Sequence, residues 1–179
     1  RTIRTEAGDP DETGWVPALS PLGGFSVSLP DRFNEAVVAL KMEGRFTPVV
    51  VVGARMENHR FVVLAARWSD VAKDLKARAK AAVKSLCQFK NPVVSREGLF
   101  EGRFPWIEVE GDASSGKGLA RIIATDRAVY GLAVEGPELT DSMRAAAQRF
   151  FDSFAIVAPE PNEAMIRDAV GLAELNGID

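Results

Sequence analysis

Short apolar bursts punctuate this chain, and their character changes from one to the next. Phe25-Ser26-Val27-Ser28-Leu29 alternates cleanly and is stopped by Pro30, which predicts a strand with one dry face. Val49–Val52 and Phe61–Ala66 are continuous apolar runs, the pattern of strands covered on both faces, with Gly53–Arg60 as a hairpin-like link. Ser69-Asp70 supplies an N-cap, and helical spacing runs from there to about Phe89. Val71, Leu75, Ala79, Ala82, Leu86 and Phe89 form the apolar stripe of this helix, and Lys73, Lys76, Lys80 and Lys84 fall opposite. Asn91-Pro92 ends it. Strands are predicted again at Val93–Arg96, Phe104–Glu110, Leu119–Thr125 and Ala128–Val134. A tight turn at Thr125–Ala128 joins the last two, and Gly111–Gly118 reads as a longer glycine- and serine-rich loop. A second helix opens at Thr140 and closes in the aromatic plug Phe150-Phe151-Asp152-Ser153-Phe154, with a short edge strand at Ala155–Val157 after it.

Together these elements predict an α+β fold: an antiparallel sheet of about six or seven strands with helices packed on both faces. Residues 1–14 are polar and read as a flexible leader. Residues 15–158 form the domain, and 159–179 a helical tail capped by Asn162, with Met165, Ile166 and Val170 on its apolar stripe. At 179 residues the chain holds one domain with a substantial core rather than two.

Charge alters the picture more than composition does. The net charge of −3 argues against a nucleic-acid binder. From Arg67 to Lys90 there are seven basic and two acidic residues, whereas Glu135 to Asp179 holds three basic and nine acidic ones. Opposite poles of this kind bear on partners rather than on fold. No apolar run approaches the length of a membrane span, and the start at Arg1 is taken as that of a processed product or a fragment.

Chemistry-bearing residues are sparse. His59, the single histidine, falls in the polar turn Glu57–Arg60, where a solvent-exposed ring is expected; one histidine excludes histidine-rich zinc sites and leaves hydrolytic triads without support. Cys87 stands alone near the apolar side of a helix end, as a buried structural thiol would. Gly111–Gly118 nearly spells a phosphate-binding loop, yet Gly118 stands where Ser or Thr would hold magnesium and a strand follows instead of a helix, so a mobile hairpin loop is expected. Trp106, Glu108 and Glu110 share one strand face, with Asp112 just past its end. Those three carboxylates are oxygen donors of the kind Ca²⁺ takes, and equally the solvated face of an antiparallel strand. The lysine stripe of Lys73, Lys76, Lys80 and Lys84 is the best candidate interaction surface, a dock for an acidic partner or an anionic membrane surface. Met165, Ile166 and Val170 either fold back on the domain or lie on a partner.

The order of elements resembles the PsbP-like fold family. The likeness is carried by Gly23-Gly24-Phe25-Ser26-Val27-Ser28-Leu29-Pro30, and by Val129-Tyr130-Gly131-Leu132 followed by Phe150-Phe151-Asp152-Ser153-Phe154. It covers about Trp15 to Val157, and with Trp15 ahead of the first block it is similar to exported bacterial proteins of that fold, as in planctomycetes. The resemblance implies an α/β/α sandwich and a non-enzymatic accessory module, without a cofactor. Such a module is extracytoplasmic (periplasmic, secreted or thylakoid-lumen-like) and docks through protein partners on a larger membrane-associated complex. The long basic N-terminal segment of plant PsbP is absent, and the resemblance brings no site residues. The alternative expectation is a small-molecule or Ca²⁺-binding domain around Trp106, Glu108, Glu110 and residues 111–118. An enzyme comes last, since it needs a cleft that gathers Asp152, Ser153 and a neighbouring base.

Overall fold

The computed structural model describes residues 4–68 and 73–157. In chain order these form β1 (Glu6–Ala7), β2 (Val16–Ser20), β3 (Phe25–Leu29), β4 (Phe33–Met42), β5 (Arg45–Met56) and β6 (His59–Arg67). Helix α1 (Leu75–Leu86) follows, then β7 (Lys90–Phe100), β8 (Phe104–Ala113), β9 (Gly116–Ala124) and β10 (Ala128–Gly136). Helix α2 (Asp141–Asp152) and β11 (Ala155–Ile156) complete the described chain.

Two antiparallel sheets result, one ordered β1-β2-β3-β11 and one β4-β5-β6-β10-β9-β8-β7. This corrects the expected α+β sandwich with helices packed on both faces. The described residues are 56% strand and 16% helix, mostly β with only two helices among them. The physical reason is that a second sheet does much of the covering. Trp15, Phe25, Val27 and Leu29 of the small sheet and its approach pack on Val52, Phe61, Val63 and Leu132 of the large one, with Phe150, Phe151 and Phe154 from the α2 region completing that core. The opposite face of the large sheet meets α1, whose Ala79, Ala82 and Leu86 lie against Ile107, Val109, Ile122 and Val129.

Local chemistry explains the element ends. Helix α1 is capped by Asp74, whose Oδ1 accepts from the Ala77 N–H at 3.1 Å, whereas Ser69 and Asp70 lie outside the described residues. It stops at Leu86 rather than near Phe89, because Cys87 is its C-cap and Gln88 takes a left-handed φ of 52°. Thr140 caps α2 as expected, accepting from the Met143 N–H at 3.2 Å. The last turn of α2 is tied to β3: Ser153 Oγ donates to the Phe150 carbonyl (2.7 Å) and accepts from the Ser28 N–H (2.9 Å).

Residues 4–14, within the segment read as a leader, are held in place by β1 and by Asp11. That carboxylate accepts from the Thr13 N–H, the Thr13 hydroxyl and the Trp15 N–H, and its other oxygen pairs with Arg149 of α2 at 2.7 Å. Hydrogen bonding from Thr13, with the Arg149 charge behind it, holds this carboxyl below its usual value. The helical tail and its Met165, Ile166 and Val170 lie outside the described residues.

The near-match to a phosphate-binding loop also resolves into β structure. Gly111 and Gly118 are cross-strand partners in the β8–β9 hairpin, which turns through Ser114-Ser115 alone. A Cβ at either glycine would collide with Phe89, so the pair forms a slot for that ring.

Candidate functional site

The four lysines are all exposed, Lys76, Lys80 and Lys84 along α1 and Lys73 just ahead of its cap. Lys76 Nζ lies 3.1 Å from Glu97 of β7, so this lysine links α1 to the edge strand of the seven-stranded sheet. Among the described residues no carboxylate pairs with Lys73, Lys80 or Lys84.

Among the described residues, strand β7 has a neighbour on one side only. Along it Val93, Val94 and Leu99 are 65, 50 and 60% exposed, values that set them apart from the buried apolar residues of the inner strands. Val94 stands opposite Val109, Glu97 opposite Ile107 and Leu99 opposite Pro105, which places all three on the side of α1. An unpaired edge is a template for another strand unless something blunts it. Pro92 and irregularities between Lys90 and Val93 and between Val94 and Arg96 blunt the first half. From Arg96 to Phe100 the register with Glu108–Phe104 is regular, and that half stays open.

The three candidate metal ligands, Glu108, Glu110 and Asp112, do not converge. Each meets its own cation. Glu108 is buried between its cross-strand neighbours, with Arg96 Nε at 3.1 Å and Arg121 Nη2 at 3.4 Å. Glu110 is paired with Arg144 of α2, whose hydrogen bond, more than its charge, holds the carboxyl below the usual glutamate value. Asp112 is bonded to Lys117 Nζ at 2.6 Å and lies 3.4 Å from the Asn91 amide; both depress its pKa, Lys117 more. Among the described residues no group of three or more acidic, histidine or cysteine side chains is arranged to hold a metal ion. Arg121 is further enclosed by Trp106 (4.2 Å from the ring centre) and Phe151 (5.2 Å), with Asp152 at 3.9 Å.

Histidine 59 is buried rather than exposed. Its Nε2–H donates to the Glu138 carbonyl at 2.7 Å, which ties the start of β6 to the segment before α2. Burial pushes the Cys87 thiol up to about 12, the mark of an inert structural cysteine. Ser153 is engaged at the end of α2 as described above, and Asp152 accepts from the Gln148 amide at 2.8 Å.

Sequence reasoning missed a second charged row. The β5–β6 turn is only Glu57-Asn58, so Met56 pairs with His59 and Arg55 stands directly opposite Arg60. Arg32, one residue before the first β4 pair (Phe33 with Ala54), continues the row. All three line one depression of about 400 Å³. The signal was a turn of two residues flanked symmetrically by arginines, hidden by treating Gly53–Arg60 as a link.

No protein-family model matches the chain and no curated protein matches it. No helix among the described residues is long and apolar enough to cross a membrane.

Proposed function

We propose that this chain is a non-enzymatic docking module, an accessory part of a larger assembly, whose β7 edge and lysine flank receive an extended acidic segment of a protein partner. One observation carries the proposal: the regular, open half of β7 is bridged by the Lys76–Glu97 pair to the helix that bears Lys80 and Lys84, exposed lysines with no carboxylate partner among the described residues. Backbone pairing supplies affinity to a strand added at an edge, and side-chain pockets supply selectivity. Here Val94 and Leu99 offer apolar contact, and the lysines offer steering that weakens with salt. Calcium binding at Glu108, Glu110 and Asp112 is not favoured, because each carboxylate already has a cation at hand.

A defined peptide tests this. A decapeptide alternating glutamate and valine is titrated into labelled protein while backbone amides are followed by NMR. Shifts and slowed exchange confined to Arg96–Phe100, lost in high salt and in a Lys80→Glu/Lys84→Glu variant, are the expected result. Perturbations centred elsewhere, or binding indifferent to those lysines, would sink the proposal.

A further inference from the structure

The arginine row has features that packing alone does not require. Like charges directly opposite one another in an antiparallel pair are destabilising. Yet Arg55 and Arg60 occupy such a pair, and among the described residues neither they nor Arg32 has an ion-pair partner. Glu135 of β10 is the next residue across from Arg60 but forms no ion pair with it, and Asp31 accepts from the Arg32 backbone N–H at 2.7 Å. Glu35 also lines the depression, and its carboxylate accepts from the Thr5 N–H at 2.7 Å.

The next row inward is Asn34, Gly53 and Val62, and the one after it Ala36, Val51 and Leu64. Gly53 is the informative residue. Its φ lies outside the left-handed region, and a Cβ there would meet the Phe61 carbonyl at 3.4 Å and Val62 at 3.7 Å, ordinary contact distances. Neither backbone strain nor crowding demands glycine, so what its missing side chain provides is room on the sheet floor. The outcome is a concavity of about 400 Å³, apolar at the base through Val51, Gly53 and Val62, with Arg32, Arg55 and Arg60 on its lining beside the acidic residues Asp31 and Glu35. That volume is within the range of small-molecule sites.

We infer that this depression binds a phosphorylated small molecule, the phosphate held by Arg32, Arg55 and Arg60 and a compact apolar group lying on the Gly53 floor. Guanidinium forks match phosphate oxygens in pairs, and an anion would relieve the repulsion within the arginine row. The site is separate from the β7 edge and does not depend on the docking proposal.

The test uses phenyl phosphate, inorganic phosphate and vesicles containing phosphatidic acid, with binding followed by amide shifts, calorimetry and sedimentation. Phenyl phosphate is expected to shift Asn34, Gly53 and Val62 and to raise the melting temperature. Arg55→Gln should weaken it about tenfold or more, as loss of a charge-assisted hydrogen bond implies. Gly53→Val should weaken phenyl phosphate while sparing inorganic phosphate. If vesicles compete through the same arginines, the phosphate comes from a lipid headgroup; if only phenyl phosphate binds, the ligand is soluble. Absence of binding in every arm, shifts scattered over the basic surface, or affinity unchanged in folded Arg55→Gln overturns the inference.

Discussion

Two rows of charge cross the same seven-stranded sheet, on opposite faces, and they are built to opposite rules. On the α2 side, Arg96, Glu108 and Arg121 lie across β7, β8 and β9 in the order plus, minus, plus, with Glu108 only 3% exposed. On the other side, Arg32, Arg55 and Arg60 lie across the start of β4, β5 and β6 as three plus charges, all exposed. The first row closes on itself and is roofed by Trp106, Phe151 and Asp152. The second is left open to solvent. Charge that is matched and buried belongs to the architecture, and charge that is unmatched on a concave surface is available to something else.

The sharpest way to break the comparison is to remove one member of the closed row. Glu108→Ala leaves Arg121 buried and without its main partner, which is expected to cost about 3–5 kcal/mol of stability in a urea titration. Replacing Glu108 and Arg121 together by leucine and methionine should restore most of that loss, because a buried ion pair repays its desolvation only in part. A Glu108→Ala variant as stable as the parent would show that the row is not structural.

A smaller effect is expected at Gly116, in the hairpin that resembled a phosphate-binding loop. Its φ is 136°, and a Cβ there would approach the Gly136 carbonyl at 2.6 Å. Gly116→Ala should cost about 1–3 kcal/mol, measured by the same titration, since both the backbone region and the close contact oppose a side chain.

How much of this was legible from sequence follows from how local each signal is. Strands with a clean period or an unbroken apolar run, β3, β5, β6 and β8–β10, could be read directly, as could the Thr140 cap of α2. β4 escaped because Phe33–Met42 is half-exposed along most of its length and shows no alternation. β1 and β2 escaped for a different reason: two residues and a proline-bearing five become a sheet only through pairing with β3. Missing those strands is what produced a helical layer in place of a second sheet. The acidic positions on β8 were visible, but their partners came from β7, β9 and α2, so a metal cluster and a set of ion pairs looked alike until register was known.

Acid sharpens the comparison at the margin of the closed network. The Arg144 side chain holds Glu110 below its ordinary value of 4.5, so this pair stabilises the fold above that pH. The contribution fades as pH falls through the depressed folded-state value. Glu110 is 37% exposed and therefore solvent-screened, so the effect should stay under about 1 kcal/mol. Asp11 and Asp112 are depressed as well, hence the quantity to measure is the difference between the parent and Arg144→Gln in melting temperature against pH. The two curves should separate above the ordinary carboxylate range and converge in acid. A constant offset at all pH values would assign Arg144 a packing role instead.

The smallest effect tests the open row by giving it the order of the closed one. Arg55→Glu converts plus, plus, plus into plus, minus, plus across β4, β5 and β6. Cross-strand opposite charges at an exposed position are worth about 0.2–1 kcal/mol, so the variant should be slightly more stable than the parent. It should also lose its response to phenyl phosphate, since the site would then be satisfied from within. Gain of stability together with loss of binding would show that the parent keeps an unfavourable arrangement because a ligand uses it. If instead the variant is less stable, the three arginines are already well accommodated by solvent, and the contrast between the rows is one of burial alone.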